Sequence, residues 1–322
     1  MSFTNIIGQD VAIKALKNII AQGQISGAYL FLGPNGIGKR TTAIEFSKAI
    51  NCENKELDSC DNCASCNKIQ SLNHPDIFII EREEGSNFIK IEKVREIIYQ
   101  ASLKPYEARK KVFIIVGIEA MTEEAQNALL KILEEPPEHQ ILILTSSHIS
   151  GILPTALSRC KALKFNLLSQ SQIHEFLIQK RNFTETEAIL FSHMAMGSLA
   201  RAIELKEKDL ILHRDKVLDD FIFRKRALFK EDIGNEKKCP NIEESLQMLL
   251  CWYRDLLVAK FIDTPNICLN IDRYDEVYSY ANKFSKEGLE NNLNCILKTI
   301  GYIRGNVNPK IALFNMALEL KN

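Results

Sequence analysis

Residues 28–41 have the sequence AYLFLGPNGIGKRT: a short apolar run, a glycine-rich turn and the start of a polar segment. Positions 33–39 fit the spacing G-x-x-x-x-G-K, and they lie between a predicted strand and a predicted helix, as a phosphate-binding loop requires. The glycines allow backbone N–H groups to face phosphate oxygens, and the lysine can reach the outer phosphates. The candidate nucleotide-binding residues are Gly33, Pro34, Asn35, Gly36, Ile37, Gly38, Lys39, Arg40 and Thr41.

The position after the lysine departs from this pattern. Serine or threonine normally follows the lysine, because its hydroxyl holds Mg²⁺, whereas this chain has Arg40. Thr41 comes one residue late, about 100° further around the helix. The sequence therefore predicts a nucleotide site with poor metal placement, at which ATP binding is weak or vestigial.

Predicted strands and helices alternate on both sides of this loop. Continuous apolar runs predict buried strands, and apolar residues at helical spacing predict amphipathic helices. The strands are predicted at 28–32, 76–81, 112–116 and 141–144, and the helices at 10–22, 41–50, 90–103 and from the capping residue Thr122 to Pro136. Lys110 and Lys111 are expected to be solvated where the third strand begins. The alternation predicts parallel crossover units and therefore an α/β domain.

Beyond residue 168 the pattern becomes helical. Helices are predicted at 170–180 and 185–206, with a break at Gly197-Ser198, and long helical stretches follow from 209 onward. We expect an α/β domain over 1–167, a small helical domain over 168–207 and a larger helical domain over 208–322.

The strand at 112–116 ends without the acids that nucleotide hydrolysis needs. In phosphate-loop ATPases an aspartate there helps to hold Mg²⁺, and in many a glutamate orients the attacking water. Val116 and Gly117 occupy these positions, and Glu119, two residues further on, is expected to be a solvated loop acid. The sequence thus predicts that hydrolysis is lost rather than merely slowed.

Four of the nine cysteines, Cys52, Cys60, Cys63 and Cys66, lie close together. Four thiolates are the number that a closed tetrahedral zinc site needs, and in a cytoplasmic chain such a cluster favours metal binding over disulfides. We therefore predict a structural Zn²⁺ module at 52–66 that holds together a segment lacking its own core. The alternative is a loop with four reduced, unligated thiols.

The composition excludes several classes of protein. The 322 residues include 41 basic and 41 acidic ones. Hydrophobic residues make up 46% of the chain, a fraction that is incompatible with global disorder. Neither half of the chain is basic, which argues against a dedicated nucleic-acid-binding module. Because neither an export signal nor a membrane-spanning apolar run is present, we expect a cytoplasmic location.

Several segments together resemble bacterial clamp-loader AAA+ subunits. Besides the phosphate loop and the cysteine cluster, they are IIGQ at 6–9, NALLKILEEPP at 127–137 and LPTALSRC at 153–160. The resemblance covers about residues 1–205, and NPK at 308–310 is similar to a segment of relatives. It implies a P-loop AAA+ domain with a parallel sheet flanked by helices, a small helical lid domain and an all-α C-terminal collar domain through which subunits oligomerise.

Within this family, the departures resemble the delta-prime class of DNA polymerase III subunits. The gamma/tau motor class keeps the strand acids and an arginine in the Gly-Ser segment of its second domain, whereas here Ala200 holds the arginine's position and Arg201 comes one residue late. The resemblance implies a subunit of the DNA polymerase III holoenzyme with no catalysis of its own. Its implied partners are the gamma/tau and delta subunits and, through the complex, the sliding clamp and primed DNA, with no membrane.

The resemblance also implies a role for Arg159. In the family this arginine projects across a subunit interface toward ATP on the neighbouring gamma/tau subunit, where it stabilises transition-state charge as an arginine finger. Two other interpretations compete with the delta-prime one. An active gamma/tau-type ATPase is disfavoured by the missing acids, and a zinc-dependent DNA-binding protein is disfavoured by the neutral charge balance.

Overall fold

The computed structural model describes residues 2–23, 25–54, 57–83, 86, 88–223, 242–262 and 264–320. They form two compact units, Met1–Gln172 with Gly197–Ala200 and Ile173–Met196 with Arg201–Asn322. The three-domain division with boundaries at 167 and 207 stays a prediction. Part of the helical stretch predicted beyond residue 209, with Cys239, lies outside the described residues.

A parallel sheet forms the centre of the first unit. Its strands are β1 (Gly27–Leu32), β2 (Ile77–Ile80), β3 (Lys111–Val116), β4 (Gln140–Ser146) and β5 (Cys160–Lys164). In the described part of the chain these five strands have the order β2-β3-β4-β1-β5. β1 pairs with β4 on one side and β5 on the other, so that Leu32 is level with Ser146 and Lys164. The four strands predicted from apolar runs are confirmed, whereas β5 is not among the predicted elements.

Helices connect the strands of this unit. They are α1 (Asp10–Ala21), α2 (Lys39–Asn51), α3 (Ala64–Gln70), α4 (Ile91–Ala101), α5 (Glu123–Glu134) and α6 (Pro154–Leu157), with 3-10 turns at Phe3–Asn5 and Ile118–Ala120. The predicted cap at Thr122 is confirmed, because its hydroxyl oxygen accepts a hydrogen bond from the N–H of Ala125 at 3.2 Å. The short helices α3 and α6 were not predicted.

Alternate residues of β3 pack into two separate apolar cores. Phe113 and Ile115 contribute to the core that contains residues of α4 and α5, and Val112 and Ile114 to the core that contains residues of α1 and α2. A strand that is covered on both faces must be apolar throughout, which is why a continuous apolar run predicts it. Ligands of such sheets bind at the carboxyl ends of the strands, and in this unit the glycine-rich loop follows the carboxyl end of β1.

The second unit is helical in its described part, as predicted. Its helices are α7 (Gln170–Arg181), α8 (Glu185–Met194), α9 (Leu199–Glu207), α10 (Leu210–Leu218), α11 (Ile242–Phe261), α12 (Tyr274–Ala281), α13 (Lys286–Arg304) and α14 (Pro309–Glu319), with 3-10 turns at Pro265–Ile267 and Ile271–Arg273 and a π turn at Asp219–Phe223. The first residues of α7 and α9 belong to the first unit. Trp252 lies fully buried in the core of this unit. Among the described helices, none is both long and apolar enough to cross a bilayer.

Candidate functional site

The predicted phosphate loop lies at the carboxyl edge of the sheet, between β1 and α2. Its three glycines have positive φ angles, +155° at Gly33, +75° at Gly36 and +99° at Gly38, a region that other residues rarely adopt. A Cβ on Gly33 would lie 2.3 Å from the carbonyl oxygen of Phe165. Gly38 immediately precedes α2, and no side chain caps that end of the helix. The backbone N–H groups of the first helical turn are therefore oriented as a phosphate site requires.

Lys39 is buried against the loop itself. Its ammonium group donates hydrogen bonds to the carbonyl oxygens of Gly33 and, at 2.6 Å, Pro34. Burial lowers the pKa of Lys39 to about 8, although the nearby negative charge of Glu119 partly opposes this shift. A bound phosphate would compete with the two carbonyls for the ammonium group and would favour its charged form.

The positions after Lys39 are turned to other partners. The Nε atom of Arg40 lies 3.2 Å from the Oε2 atom of Glu81, on the exposed surface. Thr41 is exposed, and the hydroxyl of Thr42 donates to the carbonyl oxygen of Gly38 at 2.9 Å. Poor metal placement at this site stays a prediction.

Residues 197–200 contact the phosphate loop directly. The N–H of Ala200 donates to the carbonyl oxygen of Gly36 at 3.0 Å, and a Cβ on Gly36 would lie 2.2 Å from the Oγ atom of Ser198. Ala200 therefore contributes its backbone to this region. The guanidinium of Arg201 pairs with Glu244, within the second unit.

Gln9 also binds the loop, although it is not among the predicted site residues. Its buried amide donates to the carbonyl oxygens of Ile37 at 3.3 Å and Asn166 at 2.8 Å, and it accepts from the N–H of Asn166 at 3.1 Å. A single glutamine gives no signal of such a position in the sequence. The only signal is its place in the segment IIGQ, which takes part in the family resemblance.

The strand ends beside the loop carry no carboxylate at the two expected positions. Val116 ends β3, and Gly117 donates its N–H to the backbone carbonyl and the side-chain hydroxyl of Thr145, both at 3.1 Å. The prediction that Glu119 is a solvated loop acid is wrong. Its Oε1 atom accepts from the N–H of Ser147 at 2.9 Å and from the Ser147 hydroxyl at 2.6 Å, and its Oε2 atom is buried without a hydrogen-bond partner among the described residues. Burial opposes its ionisation, but several hydrogen bonds, foremost those from Ser147, together outweigh burial and hold its pKa below the usual value.

The four clustered cysteines converge on one point. Their Sγ atoms all lie within 4.8 Å of one another. Zinc–sulfur bonds of about 2.3 Å in a tetrahedron place the sulfurs about 3.8 Å apart, so the four residues fit a metal of this kind. Cys52 caps the carboxyl end of α2, and Cys63 caps the amino end of α3.

Backbone N–H groups surround the sulfurs. The N–H groups of Cys60, Cys63 and Cys66 donate to the Sγ atoms of Cys52, Cys60 and Cys63, each at 3.4 Å. N–H groups of Asn62 and Cys63 lower the pKa of Cys60 to about 7. Such donors stabilise thiolates, the form that binds a metal. These residues could therefore hold a divalent ion such as Zn²⁺ in a closed, structural site.

Arg159 lies between α6 and β5, at the surface. Its Nη2 atom is 2.8 Å from the Oε1 atom of Glu134, and its Nη1 atom donates to the carbonyl oxygen of Thr155 at 2.8 Å. About a third of its side chain is exposed. A third contact, from Nη1 to the hydroxyl of Ser158, is 3.4 Å long. Two of the five guanidinium N–H donors are therefore left for a partner outside the chain.

The sheet separates Arg159 from the phosphate loop of its own chain. Cys160, the next residue, is level with Ala28 near the amino end of β1, whereas the loop follows Leu32 at the carboxyl end. At about 3.3 Å per residue, Arg159 and Gly33 are roughly 20 Å apart along the strand direction. No arginine side chain spans that distance. The structure brings the loop, Thr145 and Glu119 together and leaves Arg159 at the opposite edge.

Comparison with known proteins identifies the relatives of this chain. Residues 8–169 match the family described as "DNA polymerase III, delta subunit". The delta' subunit of DNA polymerase III from Bacillus subtilis is 28% identical over 97% of this chain and 96% of its own length. The gamma subunit from Buchnera aphidicola (subsp. Schizaphis graminum) is 35% identical over 67% of this chain and 60% of its own. Among solved structures, a gamma-subunit-related protein from Thermotoga maritima aligns with 95% of this chain and 97% of its own, at a TM-score of 0.41 and 17% identity.

Proposed function

The chain belongs to the family of DNA polymerase III delta subunits, and from this premise we propose that it is a non-hydrolysing, delta-prime-type subunit of a clamp loader. In this role it would assemble with gamma/tau and delta subunits and help them to place a sliding clamp on primed DNA. Its expected location is the cytoplasm, where chromosomal DNA is replicated in bacteria. The similarity to the delta' subunit of Bacillus subtilis extends over nearly the full length of both chains and supports this choice.

The observation that carries the proposal is the pairing of a formed phosphate loop with strand ends that lack acids. Phosphoryl transfer depends on a metal ion and a positioned nucleophile. Val116 and Gly117 can supply neither, and the carboxylate of Glu119 is engaged by Ser147. The chain can thus retain a nucleotide site as a structural element without turning nucleotide over.

Arg159 gives the chain its contribution to catalysis in the complex. It cannot serve its own loop, which lies roughly 20 Å away along the sheet, and its partly exposed guanidinium has donors to spare. We assign it to the nucleotide of a neighbouring gamma/tau subunit. There it would act as an arginine finger on the phosphates being transferred.

The helical second unit supplies a surface for assembly. Helix α14 buries Leu313 and Met316 in the core of this unit, yet its opposite stripe of Ile311, Phe314 and Leu318 is 58–71% exposed. A stripe of three large apolar side chains on one helix is typical of a protein–protein contact. This supports oligomerisation through the region 208–322. The metal module at 52–66 would hold Zn²⁺ in a purely structural role.

An active gamma/tau-type ATPase is the second candidate. The observation in its favour is the phosphate loop itself, with Lys39 and three glycines in the required conformations. It would require another carboxylate to replace the missing strand acids.

Reconstitution tests the proposed function. Gamma/tau and delta subunits from the same organism are assembled with and without this chain, and ATP turnover and clamp loading on primed DNA are measured. We expect that loading depends on the chain and that Lys39→Ala changes it by less than about twofold, because a residue acting only in a non-hydrolysing site has little influence on the rate. Loading that proceeds equally well without the chain, or failure of the subunits to associate, would contradict the proposal.

A further inference from the structure

A fully buried lysine on the phosphate-loop helix contacts the cysteine module. Lys48 belongs to α2, and only 1% of its side chain is exposed. Its ammonium group donates to the Oε2 atom of Glu45 at 3.0 Å, on the same helix, to the Oε1 atom of Gln70 at 3.2 Å and to the carboxylate of Asp61. An ammonium group in such a position is stable only while charged and polar partners surround it.

Two of these partners lie outside the helix, Asp61 within the cysteine module and Gln70 on α3, which begins in that module. Asp61 lies in the short loop between Cys60 and Cys63, with a φ of +59°, and its Oδ1 atom also accepts from the hydroxyl of Ser59 at 3.1 Å. Gln70 is the last residue of α3, which Cys63 caps and which contains Cys66. The positions of both oxygens therefore depend on the four cysteines being held together.

The helix that carries Lys48 joins the two candidate sites. Gly38 of the phosphate loop precedes its first residue, and Cys52 directly follows its last one. The helix has 13 residues, so the two sites are about 20 Å apart along its axis. Whatever loosens its carboxyl-terminal turns acts on the element that positions the phosphate loop.

We propose that Lys48 couples metal binding at the four cysteines to the order of the phosphate-loop helix. A metal ion fixes Cys60, Cys63 and Cys66, and with them Asp61 and Gln70, which then satisfy the buried ammonium group. Loss of the ion releases these two partners and leaves only Glu45 of the three contacts described above. The buried ammonium group is then less well stabilised, and the last turns of α2 open more often. This inference rests on metal binding by the cysteines, which is part of the proposed function.

Amide hydrogen exchange on the full chain tests the coupling, with zinc bound and after removal of zinc by a chelator. In the unmodified protein we expect exchange in residues 45–51 to become at least about tenfold faster without zinc, the factor that corresponds to loss of one hydrogen bond to a charged group. In Asp61→Asn, the same zinc-dependent change should shrink to less than about threefold, because a neutral amide bonds the ammonium group more weakly. Asparagine tolerates a positive φ well, so this variant leaves the loop backbone unstrained.

Lys68→Met is the matched control. Lys68 lies on α3 and is also paired with an acid, Glu107, but it is about half exposed. We expect this variant to respond to zinc removal as the unmodified protein does. Peptides covering β3 serve as the internal reference, since general unfolding would accelerate them equally.

The possible results separate the coupling from the metal site itself. If zinc content is nil and added zinc protects nothing, the metal proposal fails and the coupling fails with it. If zinc binds but Asp61→Asn keeps the full response, or if β3 accelerates as much as α2, the metal site stands and the coupling through Lys48 is refuted.

Discussion

Replacing Arg159 with alanine should leave the chain folded but slow the ATP turnover of the assembled loader by about tenfold or more. The guanidinium makes one ion pair within the chain, to Glu134, and both partners are substantially exposed. Such a pair contributes less than about 1 kcal/mol to stability. In the complex the same group would donate to a phosphate, and one hydrogen bond to a charged group is worth about 1.5–3 kcal/mol, which corresponds to a factor of about ten or more in rate.

The assay is steady-state ATP turnover by the reconstituted loader at saturating ATP, with clamp and primed DNA present. Thermal melting of the isolated chain checks that the variant is folded. Arg159→Lys should recover only part of the lost rate, because lysine keeps the charge but not the forked donor geometry.

Glu134→Ala provides the matched control, because it breaks the same ion pair from the other side. We expect this variant to stay within about twofold of the unmodified loader, since the pair itself is worth little. The role assigned to Arg159 is refuted if the loader with Arg159→Ala turns over ATP at the unmodified rate. It is also refuted if Glu134→Ala loses as much, because the effect would then come from the ion pair within the chain.

Three further changes test the energetics of the first unit by urea unfolding. Lys39→Met should stabilise the isolated chain by about 1–3 kcal/mol at pH 7, because it removes a buried ammonium group. This gain should vanish as the pH rises from about 8 toward 10.5, since in that range Lys39 of the unmodified chain stays protonated only in the unfolded state. Gly33→Ala should cost about 2–4 kcal/mol, because its Cβ would lie 2.3 Å from the carbonyl oxygen of Phe165 at a φ of +155°. Asp76→Asn should cost about 2–4 kcal/mol at pH 7, since its buried carboxylate accepts three backbone N–H bonds of 2.8 Å. These bonds outweigh the opposing effect of burial and hold the pKa of Asp76 below 3.8. The stability difference between the variant and the unmodified chain should therefore shrink as the pH falls below that value.

Each of these changes has an outcome that would contradict its reasoning. For Lys39, it is a stability gain that stays constant up to pH 11. For Gly33, the control is Gly301→Ala, inside α13 with nothing within 4 Å of the new Cβ; this variant should gain about 0.5–1 kcal/mol, and an equal loss in both variants would rule out the steric argument. For Asp76, it is a loss of stability that is the same at pH 3 and pH 7.

The sequence predicts the central strands because their environment is uniform. β1, β3 and β4 are covered on both faces, so their central residues are continuously apolar and the run stands out. β5 is missed because Lys161 and Lys164 interrupt its five residues, which leaves neither a continuous apolar run nor a regular alternation. Its pairing with β1 depends on the tertiary fold and leaves no strong pattern in five residues.

The two wrong predictions at charged residues also arise from contacts that only the tertiary fold creates. Lys111 was expected to be solvated, but it is buried, and its ammonium group donates to the carbonyl oxygen of Gln100 at 3.1 Å. Glu119 was expected to be a free loop acid, but Ser147, 28 positions further along the chain, binds it. From the sequence alone, a single charged residue is expected to be exposed to water, because a partner that only folding brings close leaves no signal beside it. The cysteine cluster was predicted because its ligands are close in sequence as well as in space.

ATP turnover by the purified chain alone, with Mg²⁺ and primed DNA present, shows directly whether the chain hydrolyses nucleotide. We expect no turnover above background and no difference between the unmodified chain and Lys39→Ala. Clear turnover that disappears in Lys39→Ala would mean that another group replaces the acids missing at Val116 and Gly117. The chain would then be an active motor subunit of the gamma/tau type.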